Sequence, residues 1–128
     1  RAFIEAEAYE GPSIIVAYSH CIAHGINMRT GMETQKAAVQ SGHFPLFRFN
    51  PDLIRAGKNP LQLDSKAPSI KYEDFAYAQT RFKMLTKSNP EAARQLLSAA
   101  QEDAARRWAM YEGLAAMYAK TAEGGNGA

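Results

Sequence analysis

Three different spacings of apolar residues run along this chain. From Pro90 onward, Ala93, Leu97, Ala100, Ala104, Trp108, Tyr111, Ala115 and Tyr118 recur every three or four positions, while Glu91, Arg94, Glu102, Arg106 and Lys120 face away. That stripe predicts a long amphipathic helix lying across a surface. Asn89 is placed to cap it, with Pro90 at the first helical position and Glu91 in the favourable first turn. A preceding helix is predicted from Tyr72, with Phe75, Ala78 or Gln79, Phe82 and Leu85 on one face, failing at Ser88-Asn89-Pro90. Ser13-Ile14-Ile15-Val16-Ala17-Tyr18 has a continuous, β-branched apolar pattern instead, which predicts a central parallel strand covered on both faces. Phe44 to Pro51 alternates, its aromatics set against Leu46 and Arg48, and predicts a second strand.

Between the two strands, Ile22 to about Gln40 reads as a helix with Met28, Met32 and Val39 at helical spacing, closed by Ser41-Gly42. Gly25 and Gly31 weaken it by roughly 1 kcal/mol each and suggest close packing or a break. Strand, helix, strand in this order is a βαβ unit with a right-handed crossover. Asp52 to Ser69 is turn-rich, and Leu61-Gln62-Leu63-Asp64 can return antiparallel beside Leu46 to Asn50 as an edge hairpin. Arg1 to Tyr9 reads as a helix stopped by Gly11-Pro12, and a helix opening the chain without Met predicts the end of something longer. The fold class expected is α/β, a partial parallel sheet (βαβ unit plus edge hairpin) carrying C-terminal amphipathic helices. Residues 1–71 form its α/β part, 72–120 the helices packed on it, and 121–128 a flexible tail.

Composition narrows the function classes. The chain has 128 residues, 46% of them hydrophobic and 22% charged, enough for one core. Fifteen basic against thirteen acidic residues leave +2, scattered rather than striped, which gives no reason to expect nucleic acid. No apolar run approaches the roughly 20 residues of a membrane span, so no membrane partner is expected. One cysteine rules out an internal disulfide, and a reducing, cytoplasmic setting is the default expectation.

That cysteine, Cys21, lies in Tyr18-Ser19-His20-Cys21-Ile22-Ala23-His24-Gly25, at a predicted strand-to-helix junction where open parallel sheets place their chemistry. Cys21 and His24 share a helical face and amount to half of a metal site, but a zinc or iron-sulfur site needs about four ligands. A Cys-His nucleophile is chemically reasonable, since a helix start and an imidazole both favour thiolate, yet no orienting carboxylate can be read. The plain alternative is a buried structural thiol in a non-catalytic α/β interaction module whose last helix docks a partner. His43 reads as a turn or surface residue, the five methionines as packing, and Arg106-Arg107 and Lys83 with Lys87 as solvated helix faces. There is no glycine-rich phosphate loop, no GDG-type diphosphate motif and no CxxC. Alone, the chain lacks a complete active site.

Tyr9-Glu10-Gly11-Pro12-Ser13-Ile14-Ile15-Val16-Ala17-Tyr18-Ser19-His20-Cys21-Ile22-Ala23-His24-Gly25-Ile26 resembles a segment near the carboxyl terminus of the pyruvate:ferredoxin (flavodoxin) oxidoreductases. The likeness continues through Gln35 to Gly42, Pro45 to Pro51, Asn59 to Lys66, Arg81 to Leu85, Ala100 to Asp103 and Arg107 to Tyr111. The resemblance implies a fragment of a thiamine-diphosphate-binding domain. The whole enzyme would convert pyruvate and coenzyme A to acetyl-CoA and carbon dioxide, passing electrons through iron-sulfur clusters to ferredoxin or flavodoxin, as a homodimer. In that family the cysteine of the Ser-His-Cys-Ile-Ala-His-Gly motif is the distant fourth ligand of the 4Fe-4S cluster nearest the thiamine, and Cys21 matches it. The other three ligands, and the motif for thiamine diphosphate and Mg2+, would lie upstream. The fragment by itself should then bind no thiamine diphosphate and be inert.

Overall fold

The computed structural model describes residues 1–124, a helix-rich α/β arrangement with one small antiparallel sheet. Helix α6, Pro90–Gly124, is its spine. It starts where expected, with Asn89 Oδ1 accepting the Ala92 amide at 3.1 Å. Along it Ala93 and Ala104 are buried and Leu97, Ala100, Trp108, Tyr111, Ala115 and Tyr118 half-buried, so the predicted stripe is the packed one. The helix continues through Gly124, into the stretch expected to be a tail, and residues 125–128 of that tail lie outside the described residues.

The edge hairpin forms as expected. Strands β1 (Phe47–Phe49) and β2 (Leu61–Leu63) pair antiparallel with Phe47 opposite Leu63 and Phe49 opposite Leu61. Alternation sends Phe47 onto Tyr111 and Phe49 onto Tyr118 of α6, with ring centroids 4.5 Å and 5.9 Å apart, and sends Arg48 to the other face. Asn59 Nδ2 donates to the Ala115 carbonyl at 2.9 Å, tying the hairpin loop to the same helix. That loop holds a four-residue helix, α3 (Asp52–Arg55), which the turn-rich reading missed. Its signal was Asn50-Pro51-Asp52, where Asn50 Oδ1 accepts the Asp52 amide at 3.0 Å.

The predicted parallel strand does not form. Ser13 to Tyr18 has no regular structure, and Ile14 and Val16 are 90% and 75% exposed. A central strand needs neighbours on both edges to take its amides and carbonyls. Among the described residues the only strands are β1 and β2, which are occupied with each other, so the βαβ unit is absent. The run is held at its two ends, Ser13 Oγ donating to the Ala6 carbonyl at 3.0 Å and the Tyr18 ring lying 5.7 Å from that of His43 and 5.5 Å from that of Phe44.

Two predicted helices are divided. The stretch from Ile22 to Gln40 becomes a 3-10 turn at Ile22–His24, a second at Met28–Thr30, and helix α2 at Gly31–Gln40. Gly25, at φ +67, makes the break that its presence suggested. Ser41-Gly42 ends α2, as expected. The stretch from Tyr72 to Ser88 becomes α4 (Tyr72–Tyr77) and α5 (Thr80–Ser88), parted at Gln79, which sits in extended conformation. Helix α1 (Ala2–Ala8) forms but buries no residue. The buried apolar side chains are few and mostly small: Ala38, Leu61, Phe75, Ala76, Ala93 and Ala104. All five methionines are more than half exposed, so their expected packing role is corrected. With so thin a core the caps carry weight. Asn89→Ala should cost about 1 kcal/mol, read as a lower urea midpoint at unchanged slope, with Asn89→Asp restoring it; an unchanged midpoint for the alanine variant would remove the cap from the account.

Candidate functional site

The loop that carries Cys21 is built from behind. Cys21 precedes the 3-10 turn, its carbonyl accepting the His24 amide at 3.1 Å, and the Gly25 amide closes the turn on the Ile22 carbonyl at 2.9 Å. Beyond the turn, the Gly25 carbonyl accepts two bonds from Thr80, from Oγ1 at 2.7 Å and from the amide at 3.4 Å. His24 Nδ1 donates to Gln79 Oε1 at 2.7 Å, and the His24 ring meets Phe82 edge-on at 5.3 Å. Gln79 is 2% exposed, and its Nε2 donates to the Phe75 carbonyl at 3.4 Å. The loop is thus fastened to the break between α4 and α5.

The thiol itself is exposed, which corrects the reading of Cys21 as a buried structural cysteine. The two flanking imidazoles turn away to different supports. His24 commits Nδ1 to Gln79, which fixes its ring and leaves Nε2 as its open nitrogen. His20 lies against α2 at Gly31, where the missing side chain leaves room for its ring, and its buried Nδ1 has no hydrogen-bond partner. Among the described residues no three His, Cys, Asp or Glu side chains are grouped to hold a metal ion. Cys21 is exposed at the start of this turn, and a cysteine sulfur is a soft donor of the type that binds iron-sulfur clusters.

Behind the loop lies an aromatic cluster that sequence reading missed. His43, expected in a turn or at the surface, sits in the bend after α2 but is half-buried, with the Phe75 ring 4.7 Å from its own and Nδ1 sharing a 3.1 Å hydrogen bond with the Tyr72 hydroxyl. Burial, with the Arg107 charge added, lowers the His43 pKa and favours neutral imidazole. Arg107, expected to be solvated, donates to the His43 carbonyl at 2.8 Å. On the far face of the hairpin Arg48 donates to both Asp64 oxygens, at 2.7 Å and 2.8 Å, and to both Glu5 oxygens, at 2.6 Å and 2.7 Å. The guanidinium holds both carboxyls below the usual carboxylate range. Arg48 is the main tie of α1 to the fold, and only the alternation along β1 hinted that it faced away from α6. A cavity of about 420 Å³ opens between α4, α5 and α6, lined by Tyr77, Phe82, Leu85, Leu96 and Leu97 with Arg81 among them.

No helix among the described residues is long and apolar enough to cross a membrane. No protein-family model matches the chain. It is 60% identical over 116 residues to a pyruvate-flavodoxin oxidoreductase of Trichormus variabilis, covering 91% of this chain and 10% of that protein. It is 47% identical over 115 residues to the pyruvate:ferredoxin oxidoreductase of Moorella thermoacetica, with 90% and 10% covered. It is also 42% identical over 115 residues to a mitochondrial pyruvate dehydrogenase [NADP(+)] of Euglena gracilis, covering 87% of this chain and 6% of that protein. The chain spans about a tenth of the length of the first two relatives. Over nine-tenths of its own length, then, the chain is homologous to one segment of the pyruvate-flavodoxin and pyruvate:ferredoxin oxidoreductases.

Proposed function

We propose that the chain is the carboxyl-terminal segment of an oxidoreductase that decarboxylates pyruvate with coenzyme A and delivers the electrons to ferredoxin or flavodoxin. The observation that carries this reading is the 60% identity sustained over 91% of the chain. Within such an enzyme we assign the segment to the thiamine-diphosphate-type α/β domain, with Cys21 as one ligand of the neighbouring 4Fe-4S cluster. The cluster, when bound, accepts and passes on single electrons. The chain's own contribution is to hold one thiolate in a fixed direction at the end of the Ile22–His24 turn. The sequence carries no GDG-type diphosphate motif, which is why thiamine diphosphate and Mg2+ are assigned elsewhere in the enzyme. Those cofactors belong to the remainder of the enzyme, which is also where the exposed Phe3, Ile4, Ile14 and Val16 find cover. The segment alone has no activity in this account, and the full-length enzyme is a cytoplasmic homodimer.

The competing interaction-module reading needs a sheltered thiol, and the exposure of Cys21 weighs against it. A thiol reagent should modify Cys21 stoichiometrically in the folded chain without denaturant; resistance until unfolding would favour the competing reading. In the full-length enzyme, Cys21→Ala should remove about four iron and four sulfide per chain and abolish electron delivery to the acceptor, while thiamine diphosphate stays bound. A variant with full iron and sulfide content would dispose of the ligand assignment.

A further inference from the structure

We propose that Gln79 and Thr80, at the break between α4 and α5, are positioning residues for the Cys21 thiolate. The proposal rests on the reading of Cys21 as a cluster ligand, and deepens it. Gln79 falls at a position of the apolar face shared with Phe75, Phe82 and Leu85, yet it is a polar amide buried there, and Thr80 lies off that face. Tyr72 to Ser88 could run as one helix on its pattern, yet the chain gives up that continuity at Gln79, where φ is −101 and ψ is 120. A residue in that place ordinarily turns its side chain onto the following helix, but the Gln79 side chain makes no such cap. It is buried to 2% exposure and spent on His24 and the Phe75 carbonyl. A buried amide is expensive to leave unpaired, so this bond fixes the His24 ring.

Thr80 acts on the adjacent residue. Its hydroxyl and its amide converge on the one Gly25 carbonyl, at 2.7 Å and 3.4 Å. The approach is so close that a Cβ on Gly25 would sit 2.7 Å from Thr80 Cβ, and Gly25 also has φ +67. A side chain at Gly25 is excluded twice, by backbone conformation and by Thr80. His24 and Gly25 are three and four positions beyond Cys21, and the two bonds closing the turn join them back to Cys21 and Ile22. Displacement at the anchors is therefore passed to the thiol through a short, hydrogen-bonded segment. Gln79 and Thr80 bond to His24 and Gly25, so their effect on the thiol runs through the loop. Outer contacts of this kind orient a metal's ligands and tune its potential.

The test uses the full-length enzyme with clusters in place, comparing Gln79→Leu, Thr80→Val and the pair together with Gln79→Glu and the conservative Thr80→Ser. The readouts are the EPR spectrum and midpoint potential of the cluster, the rate of iron loss to a chelator, and the unfolding temperature. The paired variant should shift the potential, alter the EPR line shape, and lose iron roughly tenfold faster, the size expected when outer contacts of a metal site are removed. Thr80→Ser, which keeps the hydroxyl donor, should restore native spectra, whereas Gln79→Glu keeps the acceptor for His24 but sets a buried carboxylate against the Phe75 carbonyl and should not. A paired variant with native EPR, potential and chelation rate overturns the proposal, as does one whose unfolding temperature falls while these stay native, because the contacts are then only structural. Where Gln79→Leu does not accumulate, Thr80→Val decides alone, since Thr80 is exposed. Cys21→Ala run in parallel separates the two ideas: full iron there overturns the ligand assignment, whereas iron loss there with native behaviour of the paired variant overturns positioning alone.

Discussion

A single exposed thiol can be held in one direction only if the backbone beneath it is fixed, and here that constraint is met by the interrupted helix behind the loop. The His24–Gln79 bond at 2.7 Å and the double contact of Thr80 with the Gly25 carbonyl replace what a strand-to-helix junction would have supplied. The α4–α5 break in turn depends on α6. Ala93 is buried, and the groove between α5 and α6 sets Leu96 and Leu97 beside Phe82 and Leu85. Gln101 Oε1 caps α4 from α6 by accepting the Tyr72 amide at 3.1 Å. The chain of support therefore runs from the stripe of α6, through α4 and α5, to the turn that follows Cys21.

The apolar pattern made α6 and the hairpin legible because both are decided locally. A stripe every three or four residues has one helical solution, and the alternation of Phe47, Arg48 and Phe49 has one strand solution. Asn89-Pro90 was legible for the same reason: the capping chemistry is complete within four residues. Ser13 to Tyr18 carries an equally clear pattern, but a strand is finished only by its neighbours, and among the described residues the two strands are paired with each other. The pattern described what that run is suited to, and the structure shows what it does among these residues.

Of the site, Cys21 and its motif stood out as chemistry, while the residues that hold the loop did not. Gln79 and Thr80 are ordinary polar residues in a helical stretch, and their use depends on a contact 55 positions away in sequence. The burial of His43 was missed likewise, since it comes from Tyr18 on one segment and Tyr72 and Phe75 on α4 closing round it. Gly25 was the exception: a glycine inside a helical pattern announced a break, though not the Thr80 that presses against it.

The central claim is that Cys21 is bonded to iron in the complete enzyme. An anomalous difference map collected at the iron edge from crystals of the full-length protein tests it most directly. The account predicts an iron peak within bonding distance of Cys21 Sγ, shared with three sulfur ligands from outside this segment. A map in which the Cys21 thiol stands free, with every cluster iron assigned to other residues, would contradict it.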